Sequence, residues 1–130
     1  MPEKRIVLDT NAIIFFTAKG NIISNDLYNE LNDADLYISV ITEIELFAKS
    51  AMIPEEENKL RGFITDRLLV INLTNNVKNE TIALRRANKL KLPDCIVAAT
   101  AITLNAQLLT SDNELLRLKW PGFNVKNYIQ

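Results

Sequence analysis

Three aspartates and a glutamate stand where short apolar runs give way to helical patterns. Asp9 closes the apolar start of RIVLDTNAII, Asp94 follows Pro93 in LPDCIVAATAI, and Asp112 follows LLTS. The glutamate follows YISVIT and is either Glu43 or Glu45. Carboxylate oxygens without imidazole or thiolate are ligands for a hard divalent cation, Mg²⁺ or Mn²⁺ rather than Zn²⁺. The chain has no histidine and a single cysteine, Cys95. His-based triads, paired-histidine ribonuclease chemistry and ordinary zinc sites are therefore excluded. Gly20, Gly62 and Gly122 are too scattered to form a loop that cradles phosphate. Catalysis, if the chain performs any, must rest on carboxylates, hydroxyls, lysines or the one thiol.

The elements that would carry these acids alternate in type. β-branched runs predict strands at Lys4–Leu8, Leu36–Ser39, Leu69–Ile71, Gln107–Leu109 and Phe123–Val125. Between them, helical periodicity predicts helices at Asn11–Ala18, Ser24–Asn32, Thr42–Met52, Pro54–Arg67, Asn75–Lys91, Pro93–Asn105 and Asp112–Leu118. Pro54 with Glu55, Glu56 and Glu57 suits a first turn, where proline costs little and acids meet the positive dipole end. The helix after Pro93 is apolar nearly all round and is expected to be buried. Alternation of this kind implies an α/β fold, with a mainly parallel central sheet of four to five strands and helices on both faces. Residues 1–130 read as a single domain, without repeat or linker.

Each acid has a plainer use as a helix cap. Asp9 suits the N-cap of the helix that follows, and a capping aspartate is worth about 1 kcal/mol. TEIE (Thr42–Glu45) and SDNE (Ser111–Glu114) have the spacing of capping boxes, and Asp94 behind Pro93 suits the helix dipole. Capping, however, asks nothing about where the helix starts lie relative to one another. In open parallel sheets, ligands bind outside the carboxyl ends of the strands, which is where most of these acids fall. Carboxylates gathered there repel, and some must protonate unless a cation joins them. Periodicity does not choose between Glu43 and Glu45, which flank the apolar stripe of their helix on opposite sides.

The remaining composition is that of an ordinary globular protein, 48% apolar and 24% charged. Fifteen basic and sixteen acidic residues give a net charge of −1, which neither announces nor excludes a nucleic-acid partner. A chain of this size buries roughly two thirds of its unfolded surface and needs no staples. A lone cysteine allows no intrachain disulfide, the N-terminus shows no apolar signal core, and the longest apolar runs fall far short of the ~20 residues a membrane span needs. Together these predict a cytoplasmic protein with no membrane association. Lys78, Arg85, Arg86, Lys89 and Lys91 run up to Asp94 and form a candidate phosphate-binding flank. Cys95 without a histidine reads as a small buried residue rather than a nucleophile, and Trp120 beside Pro121-Gly122 reads as a packed turn anchor.

VLDTNAII, SVITEIELFAK, LPDCIVAATAI and LLTSDNEL, in this order and at these spacings, resemble the PIN-domain ribonucleases, especially the VapC-type toxins of toxin–antitoxin pairs. The likeness extends over essentially the whole chain. It implies that Asp9, Glu45, Asp94 and Asp112 are the acidic site residues, because the family's glutamate stands just ahead of a leucine, as in Glu45-Leu46. Thr10, Asn11 and Thr110 would be polar helpers. Many members carry an aromatic a few residues after the last acid, where this chain has Leu115 and Leu116. The implied activity is cleavage of RNA dependent on Mg²⁺ or Mn²⁺, with Asp9, Asp94 and Asp112 binding metal and Glu45 binding metal or orienting water. The implied partners are an RNA substrate, an antitoxin protein and a second copy of the chain, for which Phe47, Leu60, Phe63 and Ile64 could offer an apolar face.

Two other readings start from the same residues. A magnesium-dependent phosphatase would use Asp9 as nucleophile, but Asn11 stands where its second acid is usual and no lysine follows a late strand as phosphate clamp. A non-catalytic module would use the same crevice to bind RNA or a partner protein.

Overall fold

The computed structural model describes residues 4–18, 25–48 and 51–129. Within them the chain runs β1 (Lys4–Leu8), α1 (Thr10–Thr17), α2 (Asn25–Asn32), β2 (Ala34–Ser39), α3 (Val40–Phe47), α4 (Pro54–Arg67), β3 (Leu69–Ile71), α5 (Asn75–Ala87), α6 (Leu92–Thr103), β4 (Gln107–Thr110), α7 (Asn113–Arg117) and β5 (Asn124–Asn127). Ser24, Lys49 and Ser50, expected at the ends of two helices, lie outside the described residues. The five strands form one sheet in the order β3-β2-β1-β4-β5. Every pairing is parallel.

Alternation along the central strands divides the interior into two layers. Ile6 and Leu8 of β1 face one side with Leu36 and Ile38 of β2, and α1, α2 and α4 cover them. Val7 of β1 and Leu108 of β4 face the other side, under α5, α6 and α7. Helices therefore lie on both faces, as expected of a parallel sheet whose middle strands are buried on both sides. Within the described residues, no helix is long and apolar enough to cross a membrane.

The helix expected to be buried is α6. Cys95, Ala98, Ala99, Thr100 and Ala101 are all fully covered, and these small side chains let the helix lie close over the sheet. It ends at Thr103, and just beyond it Asn105, with a positive φ of 52°, turns the chain back so that Ala106 N–H donates to the carbonyl of Ala101. Gly122 supplies the other left-handed turn, at φ 79°, beside Trp120. Trp120 is packed against the second layer with its Nε1 donating to Glu80, which confirms it as a turn anchor.

Several boundaries and caps differ from the sequence expectation. Neither expected capping box forms. α3 starts at Val40 and is capped by Ser39, whose Oγ accepts from Ile41 N–H, so Thr42 is a fully buried residue of the first turn. α7 is capped by Asp112 rather than Ser111. Pro93 is the second residue of α6, not its first, and Lys91 stands at the cap. α5 ends at Ala87, not Lys91, because Asn88 leaves the helix at φ −137° and both its N–H and its side-chain amide donate to the carbonyl of Leu84. The turn that follows sends Leu90 into the core. The apolar face expected for a second copy is not free: Ile64 is buried, and Phe47, Leu60 and Phe63 pack against the first layer.

Close seating of α6 leaves no room for larger side chains. Ala99→Leu is expected to cost about 1–3 kcal/mol through overpacking, whereas Ile82→Ala, at a side chain already 44% exposed, should stay within about 0.5 kcal/mol. Urea unfolding of the two variants measures the difference.

Candidate active site

The strand order places β1 between β2 and β4, so the chain leaves the sheet toward opposite sides at its centre. A crevice outside the carboxyl ends at such a switch point is where α/β proteins bind ligands. Asp9 follows β1 at this edge and is 8% exposed. It caps α1: its Oδ1 accepts from Ala12 N–H at 2.8 Å. Its Oδ2 accepts from the Thr110 hydroxyl at the end of β4. Burial nevertheless outweighs these bonds and holds the Asp9 carboxyl above the usual range, with Asp112 and Glu45 adding repulsion.

The loop after β4 is organised by the same threonine. Thr110 Oγ1 accepts from Asp112 N–H at 3.0 Å while it donates to Asp9, so one hydroxyl fixes both acids. Asp112 Oδ1 in turn accepts from Glu114 N–H at 2.8 Å and Leu115 N–H at 3.4 Å, starting α7. Glu45 reaches the site from α3 and accepts from Thr10 Oγ1 at 2.8 Å. Its charge acts on both Asp9 and Asp94. The contacts thus favour Glu45 over Glu43.

Asp94 sits in the first turn of α6, half-buried. Desolvation and then Asp112 push its carboxyl up to about 6; Lys91 opposes them, while Glu45 and Glu114 add to the rise. At this edge Asp112 and Glu45 each repel both Asp9 and Asp94. Asn11 lies exposed on the first turn of α1 beside them. Glu114 is an additional nearby acid that the sequence spacing assigned to a capping box. Its proximity to Asp94 depends on how α7 meets α6, for which no local pattern exists.

The basic flank divides in two. Lys91 acts on Asp94, and Arg85 acts on Cys95 beside it, so the last turn of α5 and the 88–91 connection border the acids. Arg86 and Lys89 are exposed in the same stretch. Lys78 lies in the first turn of α5, at the opposite end of that helix. There Asn76, Asn79 and Glu80 face Thr103, near the last residues of α6, across a shallow depression. Lys78 is thus separated from the site despite its helical spacing. Cys95 is fully buried, and burial raises its thiol above the ordinary range, so it is no nucleophile.

All-oxygen donors at a crowded anionic edge are the donor set of a hard divalent cation. Among the described residues, no group of three or more such side chains stands ready-made in a metal-holding arrangement. Both Asp9 and Asp112 spend an oxygen on their caps. The fit is thus one of donor chemistry and charge. A cavity of about 500 Å³ lies elsewhere, lined by Ile14, Leu46, Ile53 and Leu60 with Glu55 and Lys59 at its margin and by none of the four acids.

None of the curated proteins compared with the chain matches it. Solved structures do. The chain is 25% identical to a chain of VapBC2 from Rickettsia felis bound to a promoter DNA fragment, with TM-score 0.77 over 95% of this chain and 98% of that one. It is 27% identical to a chain of a toxin–antitoxin complex from Klebsiella pneumoniae, with TM-score 0.68 over 91% and 94%. The fold is also that of VapBC-1 from nontypeable Haemophilus influenzae, at 22% identity and TM-score 0.74 over 97% and 99%. The PIN domain family model matches residues 6–121, which include all four acids, and the chain belongs to the PIN domain family.

Proposed function

We propose that the protein is a metal-dependent endoribonuclease and the toxin of a toxin–antitoxin pair, acting in the cytoplasm. The observation that carries this reading is the set of four coupled carboxylates at one sheet edge, with Asp94 pushed up to about 6. Membership of the PIN family and likeness to two toxin–antitoxin structures at 25% and 27% identity support it. An antitoxin protein and a second copy of the chain belong to the same reading.

Asp9, Asp94 and Asp112 would hold the cation, and Glu45 would either share it or orient the attacking water. A bound Mg²⁺ or Mn²⁺ lowers the pKa of water and offsets the charge that develops on the phosphate. Thr110 fixes the carboxylate of Asp9, and Thr10 fixes that of Glu45. Arg85, Arg86, Lys89 and Lys91 would bind the RNA phosphates beside the acids. No step requires histidine, in keeping with its absence from the chain.

Asp9→Asn and Asp94→Asn are each expected to lower metal-dependent cleavage of a structured-RNA panel by at least about 10²-fold, with the fold retained. Asparagine caps a helix about as well as aspartate, so Asp9→Asn leaves capping nearly intact. Wild-type cleavage by either variant, or cleavage insensitive to EDTA, overturns the assignment. Turnover of a small phosphoester instead of RNA would support the phosphatase.

The metal-free protein carries a pH signature. Asp94 has a folded pKa of about 6, well above that of an ordinary aspartate, so the folded state binds this proton more tightly than the unfolded one. That stabilisation is complete below about pH 4 and is lost as pH rises through 6. Thermal melts without metal should show Asp94→Asn matching wild type at pH 4 and exceeding it by a few degrees above pH 6. Adding Mg²⁺ or Mn²⁺ at pH 7 should raise the wild-type Tm and leave that of Asp94→Asn unchanged.

For RNA binding, Arg85→Ala and Lys91→Ala should each weaken affinity and reduce the salt slope by about one. Lys78→Ala should change neither. Filter binding across a salt series distinguishes them.

A further inference from the structure

The chain returns to the acidic edge once more after the last acid, through β5. Asn127 pairs with Thr110 in the β4–β5 register, which brings the next residue, Tyr128, opposite Ser111. The two hydroxyls lie 3.1 Å apart. Ser111 stands between Thr110, whose hydroxyl is bonded to Asp9, and Asp112, whose N–H is bonded to Thr110. The ring of Tyr128 lies between two rings of α1, with centroids 5.2 Å from Phe15 and 5.4 Å from Phe16. Tyr128 is 5% exposed although it directly follows an edge strand whose residues are mostly open to solvent. Its one side chain therefore touches the helix that Asp9 starts and the loop that holds Asp112.

A phenylalanine would fill the same three-ring cluster. The hydroxyl is the part that packing does not explain, since a buried phenol needs a hydrogen-bond partner. Burial, with the charge of Asp9 adding to it, keeps that phenol protonated well beyond neutral pH. It is thus a permanent hydrogen-bonding group and not a proton shuttle.

We propose that Tyr128 is a positioning residue for the acidic edge, holding α1 through its ring and the Ser111 loop through its hydroxyl, so that Asp9 and Asp112 stay near enough for one cation to draw them together. This rests on the metal-site reading above. Its role runs through Ser111 and Thr110.

Calorimetric titration of the purified full chain with Mn²⁺ tests this, alongside metal-free thermal melts. Groups bonded directly to a ligand affect metal affinity by about 10–100-fold. Tyr128→Phe and Ser111→Ala, one bond further out, should each weaken Mn²⁺ binding by about 3- to 10-fold with little change in metal-free Tm. The double variant should be no weaker than either single one, because both remove the same bond. Tyr128→Leu should lower both Tm and affinity.

Wild-type affinity in both single variants overturns the proposal, as does full multiplication of their effects in the double variant. A metal-free Tm loss in Tyr128→Phe as large as in Tyr128→Leu makes the hydroxyl merely structural and also overturns it. Asp112→Asn is the reference. If it abolishes Mn²⁺ binding while Tyr128→Phe and Ser111→Ala bind as wild type does, only the positioning role fails. If wild-type protein binds no Mn²⁺, the metal-site reading itself fails.

Discussion

Desolvation of Asp9 is the constraint around which the sheet edge is arranged. An ionised carboxyl is costly to remove from water unless hydrogen bonds or a counter-charge replace the hydration. Here Ala12 N–H and the Thr110 hydroxyl replace part of it, and burial still dominates. Both bonds arise from backbone architecture: one is the start of α1, and the other comes from the strand paired directly with β1. Asp112 and Glu45 make the balance worse, since each is another negative charge at the same edge. Such a site is relieved either by protonation of one carboxyl or by a nearby positive charge.

The acids also sit where helix dipoles are least hospitable to a cation. α1, α6 and α7 all begin at this edge, and their N-termini carry partial positive charge. An acid at each start cancels that charge, and a further one turns it negative. Capping and metal binding are thus compatible uses of one carboxylate. Asp9 and Asp112 cap with Oδ1, and the cap fixes the direction in which the second oxygen points. A side chain immobilised in this way has less rotamer entropy left to lose.

Much of this was legible because the fold follows from period and order. Strand alternation predicts parallel pairing, and parallel pairing gathers strand-end acids at one edge whatever the details of the loops. The details were harder, because they depend on tertiary contacts. TEIE has the local form of a capping box, yet burial of Thr42 and the bond from Ser39 set the start of α3 two residues earlier. Lys78 shares helical phase with Arg85 and Lys89, but phase says nothing about which end of α5 meets the acids. Tyr128 left no local signal at all. Its partners lie 17 and over a hundred residues back along the chain, and only the β4–β5 register joins them.

The two-layer interior gives the edge its final constraint. α1 and its aromatic residues belong to the layer with Leu8 and Leu109, while α6 belongs to the layer with Val7 and Leu108. Asp9 and Asp94 therefore start helices that pack on opposite faces of the sheet. α3 joins the layers, with Leu46 in the first and Ile41 against the second, and its Glu45 is held by Thr10 of α1. The spacing of the carboxylates is consequently set by the thickness of the sheet and the seating of helices on both sides, not by any single loop. A sub-ångström shift of α6 on its alanine face displaces Asp94 relative to Asp9, and close-packed interiors permit few such shifts. Rigid packing of two separate cores is what allows four repelling groups to be held at one edge.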